Sequence, residues 1–184
     1  MPNAMILRPS VIFGQEDGFF NRFAGMSRMG PVLPVVGADT KFQPVYVDDV
    51  AQAVELGVTG AAAGGVYELG GPDVRTFRAL MEQMLDIVRR RRAVLNIPFF
   101  AAKAMALMFD VVHFVSFGLV PAQITRDQVK TLRHDNIVSG DAKTFADLGI
   151  EPEAMDAILP EYLWRFRPSG QYDEIKESAR NLQV

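Results

Sequence analysis

Residues 8–20 read Arg8-Pro9-Ser10-Val11-Ile12-Phe13-Gly14-Gln15-Glu16-Asp17-Gly18-Phe19-Phe20, and they follow the apolar run Ala4-Met5-Ile6-Leu7. The run predicts a buried strand over residues 4–8, with Pro9 and Gly14 marking its exit. Open α/β sheets present ligands where strands leave at their carboxyl ends. The chain therefore starts as though a larger sheet were already under way, and the other strands have to be sought.

Working outward, residues 19–29 predict a short helix stopped by Gly30-Pro31. The stretch 32–47 carries two prolines and a glycine, so it reads as loop with short extended pieces around 43–47. Asp48 is a suitable N-cap for a helix over 49–60 whose apolar side is Ala51, Val54, Leu56 and Val58. Residues 66–69 predict a strand closed by Gly70-Gly71-Pro72. The clearest helix covers 76–91, because Phe77, Leu80, Met81, Met84, Leu85 and Val88 recur at three- and four-residue spacing. A strand at 94–97, an apolar helix over 99–117 and a helix over 126–134 with a Thr125/Gln128 capping box follow. A strand at 136–139 and a short helix over 141–147, ended by Gly149, come next. Pro152 opens a helix over 152–166, and the tail after Pro168 is polar. Four or five short strands are few for a doubly wound sheet with its own switch point.

Composition narrows the function classes. With 184 residues, 49% hydrophobic and 22% charged, the chain can bury a core as a single unit. A formal net charge of -3 gives no electrostatic footprint for nucleic acid. The lack of cysteine excludes disulfide and thiolate chemistry, and two histidines leave little for a metal site. The first ten residues, MPNAMILRPS, lack the basic and apolar regions of a signal peptide. They imply a cytoplasmic chain, or one whose N-terminus lies further upstream.

The order RPSVIFG, FQPVYVDDVAQAV, GGVYELGGPD and then a helix and strand into IPFF resembles the C-terminal portion of an extended or atypical short-chain dehydrogenase/reductase. Within that superfamily, RPSVIFGQEDGFFNRFA, TRDQVKTLRHDN and LPEYLWRFRPSGQY resemble the branch with the dehydrogenase-like accessory subunit of respiratory complex I and its bacterial relatives. The resemblance covers nearly the whole chain. It implies an α/β fold: the last strands of a Rossmann-type parallel sheet plus a small, mostly helical C-terminal lobe. Residues 1–18 and about 43–70 would supply the Rossmann part, 19–42 and 71–167 the substrate-side lobe, and 168–184 the tail.

The family's Gly-rich phosphate turn does not occur in these 184 residues, since Gly60 to Gly65 has the wrong spacing and leads into a strand. The family's Y-x-x-x-K pair, in which the Lys lowers the phenol's pKa, should precede residues 4–8. Tyr172 and Lys176 match it by letter but lie in the polar tail, where chance spacing explains them. No catalytic residue is assigned, and the isolated chain is not expected to bind NAD or NADP tightly.

The resemblance implies that, in the intact parent, backbone groups of Pro9, Ser10 and Val11 face the nicotinamide carboxamide. It also implies a substrate-side wall with Phe19 and Asn21, continued by Gln43 and Tyr46. Phe20 and Phe23 suit an aromatic core. Asp48-Asp49 could hold a metal or do acid/base work, but helix capping accounts for them and no third ligand is suitably spaced. Arg89 to Arg92 form either a solvated helix end or a contact for acidic lipid. Residues 97–120 are apolar on nearly all faces yet interrupted by Lys103 and Asp110, so they do not read as a spanning helix. They read either as a core helix or as a surface for a complex I subunit, a lipid or an apolar ligand. His113 suits a buried, hydrogen-bonded histidine, and Trp164 a core anchor. A strand edge left open at residues 4–8 predicts self-association.

Two functions follow from the resemblance. One is an NADP(H)- or NAD-binding scaffold that docks on respiratory complex I or at the inner membrane. The other is the substrate-binding part of an active sugar-nucleotide epimerase/dehydratase or hydroxysteroid-type dehydrogenase.

Overall fold

The computed structural model describes residues 4–104 and 130–168. Eight short strands form four pairs: β1 (Met5–Pro9) with β6 (Gly65–Leu69), β2 (Ile12–Phe13) with β5 (Val45–Tyr46), β3 (Val32–Val36) with β8 (Ala93–Ile97), all parallel, and β4 (Lys41–Phe42) with β7 (Arg75–Thr76), antiparallel. Four α-helices lie wholly within the described residues: α1 (Phe20–Met26), α2 (Val47–Thr59), α3 (Phe77–Ile87) and α4 (Met155–Leu163). The α/β class and its parallel pairing stand as read from the sequence. The number of strands is larger than expected.

Two of the added strands, β3 and β4, lie where prolines suggested loop. Val32–Val36 is a strand because Leu33 and Val35 are buried while Pro34 alternates outward. β3 pairs on one side only, among the described residues, so the missing N–H of Pro34 breaks no second ladder. Residues 136–139, expected as a strand, make only an isolated bridge between Phe42 and Asn136.

α3 buries Phe77, Leu80, Met81, Met84 and Leu85, and the Thr76 hydroxyl accepts from Ala79 N–H at its start. The helix stops earlier than the apolar spacing suggested, at Ile87, and Arg89 turns the chain with φ 53°. With Phe13, Phe20, Leu33, Met155, Leu159 and Leu163, this face forms the main core. A second core of Val45, Ala53, Tyr67, Leu69 and Phe145 lies between α2 and the β1–β6 pair.

Three helix starts and faces differ from expectation. α2 begins at Val47 with Tyr46 at its cap position, so Asp48 sits in the first turn rather than at the N-cap. Its inner side is Asp49 and Ala53, while Ala51, Val54 and Val58 face outward, Val58 at 82% exposure. Close approach explains this: a Cβ on Gly57 would fall 2.7 Å from the Met5 sulfur, so small residues set the packed face. α4 begins at Met155, three residues past Pro152, because Ala154 takes the cap position. The expected helix over 141–147 is a single 3-10 turn, Phe145–Leu148, closed by Gly149 at φ 70°.

Trp164 lies in the 3-10 turn after α4 and is 37% exposed, so the core anchor is Leu163 beside it. Residues 99–104 are helical, as the apolar run implied. The remainder of that run, with His113, the Thr125/Gln128 pattern, Tyr172 and Lys176, lies outside the described residues.

Candidate functional site

Three hollows surround the exit of β1. The exit itself is fixed by backbone pairing: Ser10 N–H donates to Leu69 O at 2.9 Å and Val11 O accepts from Val45 N–H at 2.9 Å. The Ser10 hydroxyl donates to Asn136 O at 2.9 Å. Pro9 and Ser10 open on a small hollow of about 140 Å³ with Arg8, Glu68 and Asn136. Val11 lines a different cavity, of about 540 Å³. The three residues assigned to one cofactor therefore look into two spaces, and two of their backbone groups are already engaged.

A loop from Gly14 to Phe19 turns the chain into α1, and Asp17 organises it. Asp17 Oδ1 accepts from Phe19 N–H at 2.9 Å and Asn21 N–H at 3.2 Å, and its Oδ2 accepts from the Tyr162 hydroxyl at 2.6 Å. Asp17 so satisfies backbone donors at the start of a helix whose cap position, Phe19, has no side chain able to do so. Burial, then the Asp17 hydrogen bond, raises the Tyr162 phenol well above its ordinary range, so it stays a donor. The sequence signal for this, an acid two residues before an apolar pair, is visible in hindsight as an Asx-type entry.

The four substrate-side residues divide between roles. Asn21 donates to Gln15 O and Asp17 O, both at 3.0 Å, and accepts from Arg165 Nη2 at 2.8 Å. Gln43 donates to Gly71 O at 2.8 Å and accepts from Val138 N–H at 3.0 Å. Both amides are held inside intramolecular networks. Phe19 lines the 540 Å³ cavity. Tyr46 lines a cavity of about 640 Å³ formed with the 12–18 loop, Val47 and Asp48. A hydrogen bond with Asp48 is the main cause that raises the Tyr46 phenol above its ordinary value.

The adjacent carboxylates do unlike things. Asp48 is exposed, whereas Asp49 is 1% exposed and accepts from Glu153 N–H at 2.9 Å, tying α2 to the approach of α4. Burial raises the Asp49 carboxyl above the usual range. No group of three or more metal-ligating side chains occurs among the described residues.

A strap over residues 130–139, for which the sequence suggested no part in the site, walls the region. Thr40 Oγ1 donates to Leu132 O at 2.6 Å, Lys41 N–H to Asp135 Oδ1 at 2.9 Å, and Gln43 N–H to Asn136 O at 3.0 Å. At its end, Ser139 N–H and Oγ donate to Glu68 Oε2 at 2.8 and 2.7 Å, which hold the Glu68 carboxyl below its usual range. The arginine run is also partly committed: Arg90 Nε donates to Phe166 O at 3.0 Å and Arg92 Nε to Ser27 O at 2.8 Å. Desolvation is the main cause that lowers Arg90 from its ordinary value.

This frame is an α/β unit with parallel pairs whose carboxyl ends carry the hollows. No family model matches the chain. Subunit 9 of the NADH dehydrogenase [ubiquinone] 1 alpha subcomplex, mitochondrial, of Arabidopsis thaliana is 39% identical over 175 residues, 92% of this chain and 44% of that protein. The mitochondrial 40 kDa subunit of NADH-ubiquinone oxidoreductase of Neurospora crassa is 30% identical over 173 residues, 94% of this chain and 44% of that protein. Among solved structures, dTDP-glucose 4,6-dehydratase of Streptomyces venezuelae with NAD and TYD bound matches 91% of this chain and 44% of its own, with TM-score 0.58 and 19% identity. UDP-glucose 4-epimerase of Thermotoga maritima with UDP-glucose matches 87% of this chain and 45% of its own, with TM-score 0.54 and 19% identity.

The fold fits that of extended short-chain dehydrogenase/reductase-type enzymes, and the sequence is similar to the two NADH dehydrogenase subunits over nearly its whole length. The structures carry the fold, and the curated relatives carry the branch. The chain spans less than half the length of those two curated relatives.

Proposed function

We propose that this chain is the substrate-side part of an NAD(P)-binding, short-chain dehydrogenase-like protein that serves as a respiratory complex I accessory-type scaffold. By itself it is not an enzyme. The observation that carries this reading is the 39% identity to the Arabidopsis subunit across 92% of the chain. Two structural facts support it. β1 pairs only with β6 among the described residues, leaving an edge for further parallel strands. The outer side of α2 presents Val47, Val54 and Val58 at 42%, 46% and 82% exposure, a stripe that a longer protein would cover.

In this reading residues 1–18 and about 43–70 sit on the nucleotide side, 19–42 and 71–167 on the substrate side. Pro9, Ser10 and Val11 face NADP or NAD in the parent. Phe19 and Tyr46 line the cleft, and Asn21 and Gln43 hold its walls. The protein lies peripheral to the inner membrane on the cytoplasmic side. No helix among the described residues is long and apolar enough to cross a membrane. Phe100, 77% exposed, and the exposed Arg91 supply a face for a complex I subunit or the membrane surface. The epimerase/dehydratase alternative has only fold-level support, because the solved neighbours are 19% identical.

Calorimetric titration of NADPH and NADH into the 184-residue chain, and into the same chain preceded by its upstream region, tests the reading. We expect silence from the former and saturable binding by the latter, with no turnover in either. Tight binding or turnover by the 184 residues alone would overturn it.

A further inference from the structure

Nucleotide sugars need many polar partners, and the 540 Å³ cavity offers few. Among its described lining residues only Arg22, Thr131 and Asn136 carry polar side chains. Arg22 and Thr131 are exposed, which places them at the mouth. The interior is made of Phe19, Phe23, Met26, Val35, Phe42 and Phe77. Four of these rings interlock, with Phe77 centroids 5.5 Å from Phe19, 5.3 Å from Phe23 and 5.6 Å from Phe42. Such a wall resists collapse. The cavity is a half-open cleft with a mostly apolar wall, so the water in it finds few hydrogen-bond partners and an apolar chain gains by displacing it. Its volume lies within the range of roughly 300–1,000 Å³ that small-molecule sites occupy.

We propose that this cavity holds a single-tailed anionic amphiphile, its apolar chain among the phenylalanine rings and its carboxylate or phosphate at Arg22. Arg22 is the only charged residue among the described lining residues. It already has an intramolecular contact, and the five donors of a guanidinium allow it to take a further acceptor. Pro9 and Ser10 line a different hollow, so this ligand and a nucleotide would not compete for those two residues.

The test uses the full 184-residue chain and parinaric acid, a fluorescent straight-chain fatty acid. Saturable binding of one equivalent is expected. Displacement by oleate alone assigns a free fatty carboxylate; stronger displacement by lysophosphatidate assigns a lipid phosphate, and either supports the proposal. Arg22→Gln, at an exposed position, should weaken parinaric acid binding about tenfold, while oleyl alcohol competes equally in both proteins. Met26→Trp fills the cavity and should abolish binding. The proposal is overturned by absence of saturable binding, by affinity unchanged in both variants, or by displacement of the probe with UDP-glucose, which would make this a polar-ligand cleft.

Discussion

Asp49 and Glu68 titrate in opposite senses, and their surroundings say why. Asp49 is buried and its carboxyl is raised, so the folded chain holds that proton more firmly than the unfolded chain does. Its contribution therefore turns against folding as pH rises from the ordinary carboxylate range through the raised folded value. Asp49→Asn keeps an acceptor for Glu153 N–H, and its advantage over wild type in urea melts should be larger at neutral pH than near about pH 4. Asp49→Ala, which also loses the hydrogen bond, should cost about 2 kcal/mol. Glu68 is lowered, chiefly by Ser139 N–H and Oγ. Its contribution is present above the ordinary glutamate range and is lost as pH falls through the lowered folded value, so Glu68→Gln should flatten the acid limb of a melt series. Tyr162→Phe leaves Asp17 Oδ2 without its donor on α4. We expect a loss of about 1–2 kcal/mol, read from the urea midpoint at constant slope.

At the scale of elements, hydrophobic spacing was a faithful guide where burial alone decides. α3 shows this: all six of its periodic residues, Phe77 to Val88, end up buried. It misled where closeness decides. α2 was read from Ala51, Val54, Leu56 and Val58, yet the helix presents Asp49, Ala53 and Gly57 to its neighbours, with the Met5 side chain of β1 lying against Gly57. β3 was hidden by Pro34, which a strand paired on one side tolerates. The turn after β6 is another close approach: a Cβ on Gly71 would lie inside the van der Waals shell of Pro44 O, a backbone atom that cannot swing aside. Gly71→Ala should therefore destabilise by about 3 kcal/mol in thermal or urea melts, more than an exposed Gly140→Ala.

For the molecule as a whole, the resemblance located the fold, and it also implied the residues of the candidate site. Their use was not legible. The resemblance implied Asn21 and Gln43 as part of a substrate-side wall; their hydrogen-bond partners, Arg165 and Val138, lie far along the chain. Only tertiary contact reveals such pairs. The open β1 edge and the valine stripe on α2 predict concentration-dependent self-association of the 184-residue chain in sedimentation velocity. Val54→Lys combined with Val58→Lys should shift the distribution toward monomer, since both positions are largely solvent-facing and carry no core packing.

Among the described residues no strand pairs with its neighbour in sequence; β1 waits for β6, β2 for β5, β3 for β8 and β4 for β7. The described strands thus offer no hairpin to form early. Loop closure has to come first for every sheet contact, which places the chain among slow folders, on the millisecond-to-second scale. On a ribosome emitting residues in order, β3 stays unpaired until Ala93–Ile97 has emerged. Its apolar Leu33 and Val35 are exposed for that interval, the period in which a chaperone would find its substrate.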